Sequence, residues 1–123
     1  MRISDCGLNK KDLQDRTKAF AVAVLALAEQ FPRSVSGRTV ANQLARSGTE
    51  VAANYRAACR AKSKADFISK MGTVEEEADE SLFWLELAVD ASLLSADDVG
   101  ELHREGEELL KIAVASIITA RTR

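Results

Sequence analysis

A row of cations between residues 56 and 64 has the most suggestive chemistry in this sequence. Arg56, Arg60 and Lys64 follow one another at steps of four residues, and Lys62 lies beside them. Cations at this spacing can neutralise successive phosphates along a nucleic-acid backbone. The alternative is an ordinary solvated surface whose charge is partly cancelled by carboxylates of the same or a neighbouring subunit. One nearby aromatic residue, Tyr55, does not decide between nucleic-acid binding and a solvated surface.

An acidic run, EEEADE at residues 75–80, raises the question of a metal site. Di-iron proteins built on helix bundles hold their metals with inward-facing Glu residues and Glu-x-x-His pairs. No Glu-x-x-His is present, and the single histidine, His103, pairs at best with Glu107 one turn further on. We therefore interpret the run as a solvated face and His103 as a surface residue. We expect no metal, no cofactor and no catalytic residue.

The two cysteines offer little redox or nucleophilic chemistry. Cys59 lies among Arg56, Arg60 and Lys62, and such cations can lower the pKa of a thiol. No histidine base is close in sequence, however, and the Ala-rich surroundings suit a small buried residue. Cys6 is the other cysteine, and no CxxC pair occurs, so neither a disulfide framework nor a zinc site is indicated. Reduced thiols in a cytoplasm are the simplest interpretation.

Asn54 interrupts the small and apolar stretch VAANYRAA at a position expected near the core. A buried amide needs hydrogen-bond partners, and a Glu of the following helix, Glu77 or Glu80, is a plausible one. We expect Asn54 and Glu80 to be buried polar residues that fix the register of the two helices.

These residues must be positioned by helices, because apolar residues recur at spacings of three and four along nearly the whole chain. The pattern predicts four helices at about residues 10–31, 37–61, 64–92 and 96–120. Pro32 supplies the first stop, Ser36 is the expected N-cap of the second helix, and Ser63 and Ser95 are those of the third and fourth. The predicted core stripes are Leu13, Thr17, Phe20, Val24, Leu27 and Phe31, then Val40, Leu44, Ser47, Val51, Tyr55 and Ala58, then Phe67, Met71, Val74, Ala78, Leu82, Leu85 and Val89, and finally Val99, Leu102, Gly106, Leu109, Ala113, Ile117 and Ala120.

Short connections between long helices favour antiparallel neighbours. The sequence therefore predicts an all-α fold, an up-down-up-down four-helix bundle with a left-handed twist. A chain of 123 residues fits one such domain, residues 1–123, and its 5% of aromatic residues argues against strands.

Several predicted helices have a second apolar stripe that a monomeric bundle does not need. Apolar residues all around a helix of so small a protein leave a patch that something must cover. Scattered surface hydrophobes are the ordinary alternative. Because the extra residues cluster, we favour self-association into a homo-oligomer through Val22, Leu25, Trp84, Leu87, Leu110, Val114 and Ile118.

The net charge of −2 conceals a strong polarity along the chain. Residues 33–70 have 8 basic and 2 acidic side chains, whereas residues 71–108 have 1 basic and 13 acidic side chains. Apolar residues recur through both segments, so the charges lie on helix faces and not on tails. No apolar stretch follows a basic start, and no run of 18 apolar residues occurs, so we expect neither secretion nor contact with a membrane. The expected location is the cytoplasm.

The segment spanning the second and third helices resembles the four-helix-bundle family of proteins encoded in intervening sequences of bacterial large-subunit (23S) rRNA genes. The resemblance rests on Asn54, the basic stretch at 56–62, the pair Ser63 and Lys64, and Phe67 with Ile68. Many relatives have Pro before the Asn and Glu-Gly after it, whereas this chain has small residues and Tyr-Arg-Ala there. The chain therefore looks like a divergent subgroup.

The resemblance implies a cytoplasmic bacterial homopentamer with no established enzymatic activity. A similar pentameric bundle is the accessory protein of diversity-generating retroelements, which contacts a reverse transcriptase and nucleic acid. Two hypotheses follow. The first is a non-enzymatic oligomeric scaffold or adaptor with an unknown protein partner. The second is a weak RNA- or DNA-binding module without sequence preference.

Overall fold

The computed structural model describes residues 10–123, and within that range every regular element is a helix. The elements are α1 (Lys10–Ala28), α2 (Val35–Cys59), α3 (Lys64–Asp90) and α4 (Ala96–Arg121). The prediction of an all-α fold with four helices is confirmed, and each boundary agrees within three residues. The left-handed twist stays a prediction.

The starts of the later helices are set by serine caps. Ser63 Oγ accepts a hydrogen bond from the Asp66 N–H at 3.0 Å, and Ser95 forms a reciprocal capping box with Asp98. Both caps were expected. The expected cap of α2 is wrong, because Ser34 and not Ser36 accepts from the Gly37 N–H, at 3.0 Å. The helix therefore begins two residues earlier, and Ser36 lies exposed in its first turn.

The ends of the first and third helices come earlier than the apolar pattern indicates. After Ala28 the Gln30 N–H bonds to the Leu27 carbonyl at 2.9 Å, a tighter turn that precedes Pro32. Phe31 remains buried, although it lies outside the helix. At the end of α3, Ser92 has a positive φ of 58°, which ends the helix before the predicted residue 92.

The four helices share one hydrophobic core, and the stripes predicted from the sequence form it. Val89 and Leu102 are the exceptions among the predicted positions, since both are half-buried against that core. Three predicted polar or small members, Thr17, Ser47 and Gly106, are buried as expected. Two buried serines were missed, Ser81 and Ser116. Ser81 lies 2.9 Å from Ser47, so the two hydroxyls bridge α2 and α3.

Each helix makes its most extensive contacts with the helix before or after it in the chain, as expected of antiparallel neighbours. Helices α2 and α3 pack along their lengths against two partners each, whereas the terminal helices α1 and α4 meet each other only sparsely. A bidentate ion pair from Arg16 to Glu105, at 2.7 and 2.9 Å, joins these terminal helices. Contact with α4 holds the pKa of the Arg16 guanidinium above its ordinary value, chiefly through that hydrogen bond with Glu105.

Two helical glycines make a matched pair for a stability measurement. A Cβ added at Gly48 would lie 2.6 Å from a methyl carbon of Val24, whereas one added at Gly72 would meet no neighbour within 4 Å. Alanine favours a helix over glycine by about 1 kcal/mol. We expect Gly72→Ala to raise the free energy of unfolding by about 0.5–1 kcal/mol. Gly48→Ala should lower it by about 1–3 kcal/mol through overpacking against α1.

Urea unfolding followed by circular dichroism measures both glycine variants against the wild type. Shifts of the same sign in the two variants would contradict the close approach of α1 to α2 at Val24.

Candidate nucleic-acid and protein interfaces

The structure brings three of the four predicted cations together at the junction of α2 and α3. Arg56, Arg60 and Lys62 line a surface groove of about 780 Å³, which Lys70 of α3 also lines. Lys64 is exposed at the first residue of α3 but does not line the groove. The predicted row of cations at intervals of four residues is therefore not continuous, because α2 ends at Cys59 and a turn separates Lys64 from the two arginines.

A second groove, of about 440 Å³, runs along the other side of the same two arginines, between α1 and α2. Lys18 of α1 lines it with Arg56 and Arg60, so the arginines form a ridge between two grooves. We name the set Lys18, Arg56, Arg60, Lys62 and Lys70 the basic surface. Sequence reasoning missed Lys18 and Lys70, because only the packing of α1 and α3 against α2 brings them to the arginines.

Two carboxylates lie at the margins of the basic surface. Asp66 accepts a hydrogen bond from the Lys62 backbone N–H at 3.1 Å and pairs with Lys70 at 3.5 Å. The backbone hydrogen bond, with Lys70 as a further cause, holds the pKa of Asp66 below its ordinary value. Asp15 lines the second groove and pairs with Lys11 at 3.3 Å. Among residues 10–123 the arginine side chains at 56 and 60 form no ion pair with either carboxylate.

The acidic run at 75–80 is only partly the solvated face that we expected. Arg46 of α2 pairs with Glu77 at 3.2 Å and also with Glu80, and the Trp84 Nε1–H donates to Glu80 at 3.4 Å. The side chain of Glu77 is 16% exposed, and its Oε1 is buried with no hydrogen-bond partner. The run therefore has an inner edge that is paired across the α2–α3 seam, while Glu76 is exposed as expected.

Asn54 does not form the contact predicted for it. Its Nδ2 donates to the backbone carbonyl of Glu50 at 2.9 Å and to the Glu50 carboxylate at 3.1 Å, so its partners lie on its own helix. Both Asn54 and Glu80 are half-buried and not buried. The local partner one turn away satisfies the amide, and the α3 carboxylates bind Arg46 instead.

His103 lies between two carboxylates on the α3–α4 seam. Its Nε2 is 2.8 Å from Glu86 Oε2, and its Nδ1 is 3.6 Å from Glu107 Oε1. Glu107 was anticipated from the sequence, and Glu86 was not, because it belongs to α3. Within the described residues no three His, Cys, Asp or Glu side chains are grouped so as to hold a metal ion. Cys59 is buried, as expected, and Cys6 lies outside the described residues.

The residues predicted to mediate self-association fall into two groups. Val22 is 63% exposed and Ile118 is 57% exposed, and Leu25 and Val114 are also exposed. Phe83, which neighbours the predicted residues of α3, is 53% exposed and packs edge-to-face on Trp84 at 4.9 Å. The other three predicted residues are half-buried against the core, and these are Trp84, Leu87 and Leu110.

Within residues 10–123, none of the helices combines the length and the apolar character that a membrane span requires.

The chain has recognisable relatives among known protein families and solved structures. No curated protein sequence matches it. The structure is similar to that of a protein of unknown function from the S23 ribosomal protein family of Bacteroides thetaiotaomicron. The two share 30% sequence identity with a TM-score of 0.79, over 85% of this chain and 96% of the other. A family profile described as 23S rRNA-intervening sequence protein matches residues 9–115, which confirms the resemblance seen in the second and third helices. The chain therefore belongs to the family of 23S rRNA-intervening sequence proteins.

Proposed function

We propose that this protein is a non-enzymatic, homo-oligomeric scaffold or adaptor of the cytoplasm. The observation that carries the proposal is the exposure of large apolar side chains along α1, α3 and α4, among them Val22 and Leu25, Phe83 and Ile118, while Val35 is exposed at the first residue of α2. Single exposed hydrophobes are common on monomers. Several of them on a bundle of 13.4 kDa are more typical of a surface that is covered in an assembly.

The sequence resemblance favours five subunits, and the apolar residues fit a head-to-tail arrangement. Val22 and Ile118 belong to different helices, so one copy can present α1 to α4 of the next. Contacts between unlike patches close into a ring when the rotation between subunits allows it. Light scattering measures the mass directly. Several times the chain mass of 13.4 kDa is expected, and the mass of a single chain would contradict assembly.

The polar groups support an architectural role more than a catalytic one. The titratable side chains that meet across helices are engaged with one another, as in the pairs Arg16–Glu105 and Arg46–Glu77. Such pairs hold helices in register, and they leave these groups committed to neighbours. The imidazole of His103 likewise faces Glu86 and Glu107.

A second candidate function is weak nucleic-acid binding, and the basic surface favours it. Its two arginines border both grooves, Lys18 extends the positive charge toward α1, and Lys70, which pairs with Asp66, lies on the side of α3. Repetition of this surface around an oligomer would raise affinity for a long strand through effective concentration. The carboxylates of residues 71–108 oppose this by repelling a polyanion. We therefore expect weak binding with a steep dependence on salt and no sequence preference.

A titration of fluorescent single-stranded RNA and duplex DNA at low and physiological salt tests this second function. The triple variant Arg56→Ala, Arg60→Ala, Lys62→Ala should bind more weakly. Its slope of log affinity against log salt should fall by about 2–3 for duplex DNA, because each lost phosphate contact removes about 0.9.

A matched control changes the net charge equally at three exposed arginines outside the basic surface, Arg33, Arg38 and Arg104. Replacement of all three with Ala should leave binding close to that of the wild type. Equal losses of affinity in both triple variants would show that only the net charge matters. If the wild type does not bind at low salt, the nucleic-acid function is contradicted and only the scaffold function remains.

A further inference from the structure

The sparse contact between α1 and α4 leaves a groove along the seam between them. It measures about 420 Å³ and is lined from Ala19 to Leu27 on α1, by Gln30 in the turn after that helix, and from Asp98 to Glu105 on α4. The stretch of α1 from Ala19 to Leu27 is a little over two turns long, about 12 Å. Arg16 pairs with Glu105 at one end of the groove, so the ion pair closes that end.

The floor and the α1 wall of the groove are apolar. Phe20 and Leu27 are buried core residues that line it, and the half-buried Leu102 of α4 joins them. The α1 wall consists of three exposed alanines, Ala19, Ala23 and Ala26. No charged residue occurs from residue 19 to residue 28, and the exposed Val22 lies between two of these alanines.

The α4 wall is acidic. It contributes Asp98, Glu101 and Glu105, which follow one another at helical spacing. Glu105 forms the ion pair with Arg16, and Asp98 accepts a hydrogen bond from the Ser95 N–H at 3.1 Å. Glu101 is exposed. The groove is therefore asymmetric, with an apolar wall on one side and carboxylates on the other.

We propose that this groove binds an amphipathic α-helix of a partner protein, one that has an apolar face and a row of Lys or Arg along one flank. The proposal rests on the adaptor function and names the chemistry of the partner. Alanines allow close approach of a helix backbone, and large apolar side chains of the partner fill the space above Phe20 and Leu27. Basic residues on one flank pair with Glu101 and Asp98, which fixes the orientation of the partner helix.

Charge complementarity also separates this groove from the basic surface. Carboxylates repel phosphates, so the groove does not suit a nucleic acid. An apolar floor without a charged wall would accept any hydrophobic helix, whereas the acidic wall selects for cations on one side. The groove and the basic surface therefore attract partners of opposite charge.

Two designed helical peptides of equal length, each long enough to span the groove, test the proposal on the full-length protein. Both have leucines along one face, and they differ in one flank, which is lysine in the first and glutamate in the second. Fluorescence anisotropy should show at least tenfold tighter binding of the lysine peptide by the wild type. Glu101→Lys should remove or reverse that preference, and Glu76→Lys, the same change at an exposed site on α3, should preserve it.

Ala23→Gln tests the place of binding, because it adds bulk at the middle of the α1 wall while it keeps a good helix former at an exposed position. We expect this substitution to weaken binding of the lysine peptide at least tenfold. Equal binding of both peptides, no binding of either, or unchanged binding by Ala23→Gln would overturn the proposal.

Light scattering of the same variants separates this proposal from the adaptor function. A fall in mass with Ala23→Gln would show that a second copy fills the groove, and this too would overturn the proposal. A wild type with the mass of a single chain that still prefers the lysine peptide would instead contradict assembly and leave the groove assignment standing.

Discussion

Replacement of both Val22 and Ile118 with Asp is expected to convert the assembled protein into a monomer of 13.4 kDa. The two side chains are the most exposed of the apolar residues that we assign to the interface. Each substitution would bury a carboxylate against apolar surface, at a cost of several kcal/mol unless it is paired. Because each 1.4 kcal/mol lowers an affinity about tenfold, two such costs weaken the association by several orders of magnitude. Light scattering coupled to size-exclusion chromatography measures the mass.

The control for this variant places two new carboxylates at exposed polar positions, Ser36→Asp and Ser69→Asp. It should keep the mass of the wild type, because neither position belongs to the proposed interface. If the variant at Val22 and Ile118 also keeps that mass, these residues do not mediate assembly. Circular dichroism should show the same helix content in all three proteins, since every changed residue is exposed.

Phe20→Ala should lower the free energy of unfolding by about 3–5 kcal/mol, the range found when a large core side chain is truncated. Phe20 is 2% exposed, and its ring reaches toward Gly106 of α4, where a Cβ would lie 3.5 Å from it. The loss is large against a total of about 5–15 kcal/mol for a typical domain. Urea unfolding of the monomeric Val22, Ile118 variant measures the loss without a contribution from assembly.

Phe83→Ala is the matched control, because it makes the same chemical change at a phenylalanine that is 53% exposed. In the monomeric background it should cost about 0.5–1.5 kcal/mol, because the edge-to-face contact with Trp84 is lost. Similar losses for the two phenylalanines would contradict the assignment of Phe20 to the core and of Phe83 to the surface.

The helices and the core could be predicted from the sequence because their signals are local. Spacings of three and four place Leu13, Phe20 and Val24 on one face whatever the helix packs against, and all three are buried. Serine caps at Ser63 and Ser95 also depend only on the residues that follow them. The cap of α2 was missed because the sequence has serines at both 34 and 36, and the pattern alone does not choose between them.

The composition of the surfaces was harder to predict because it depends on which helices lie side by side. Lys18 is far before Arg56 in the sequence, yet the two line one groove. Glu86 reaches His103 across the α3–α4 seam for the same reason. Asn54 illustrates the opposite error, since a local partner, Glu50, took the hydrogen bonds that we assigned to a neighbouring helix.

The sparse packing between α1 and α4 leaves each terminal helix with one extensive neighbour, so a terminal helix such as α1 can detach at a lower cost in free energy than α2 or α3. α1 is joined to the rest chiefly through α2 and the Arg16–Glu105 pair, whereas α2 and α3 are enclosed by partners on both sides. The connection at residues 29–34 is long enough to act as a hinge. Every other copy has an identical surface on which a released α1 can pack. Neighbouring copies in an assembly can therefore exchange this helix by domain swapping without creating any new kind of contact.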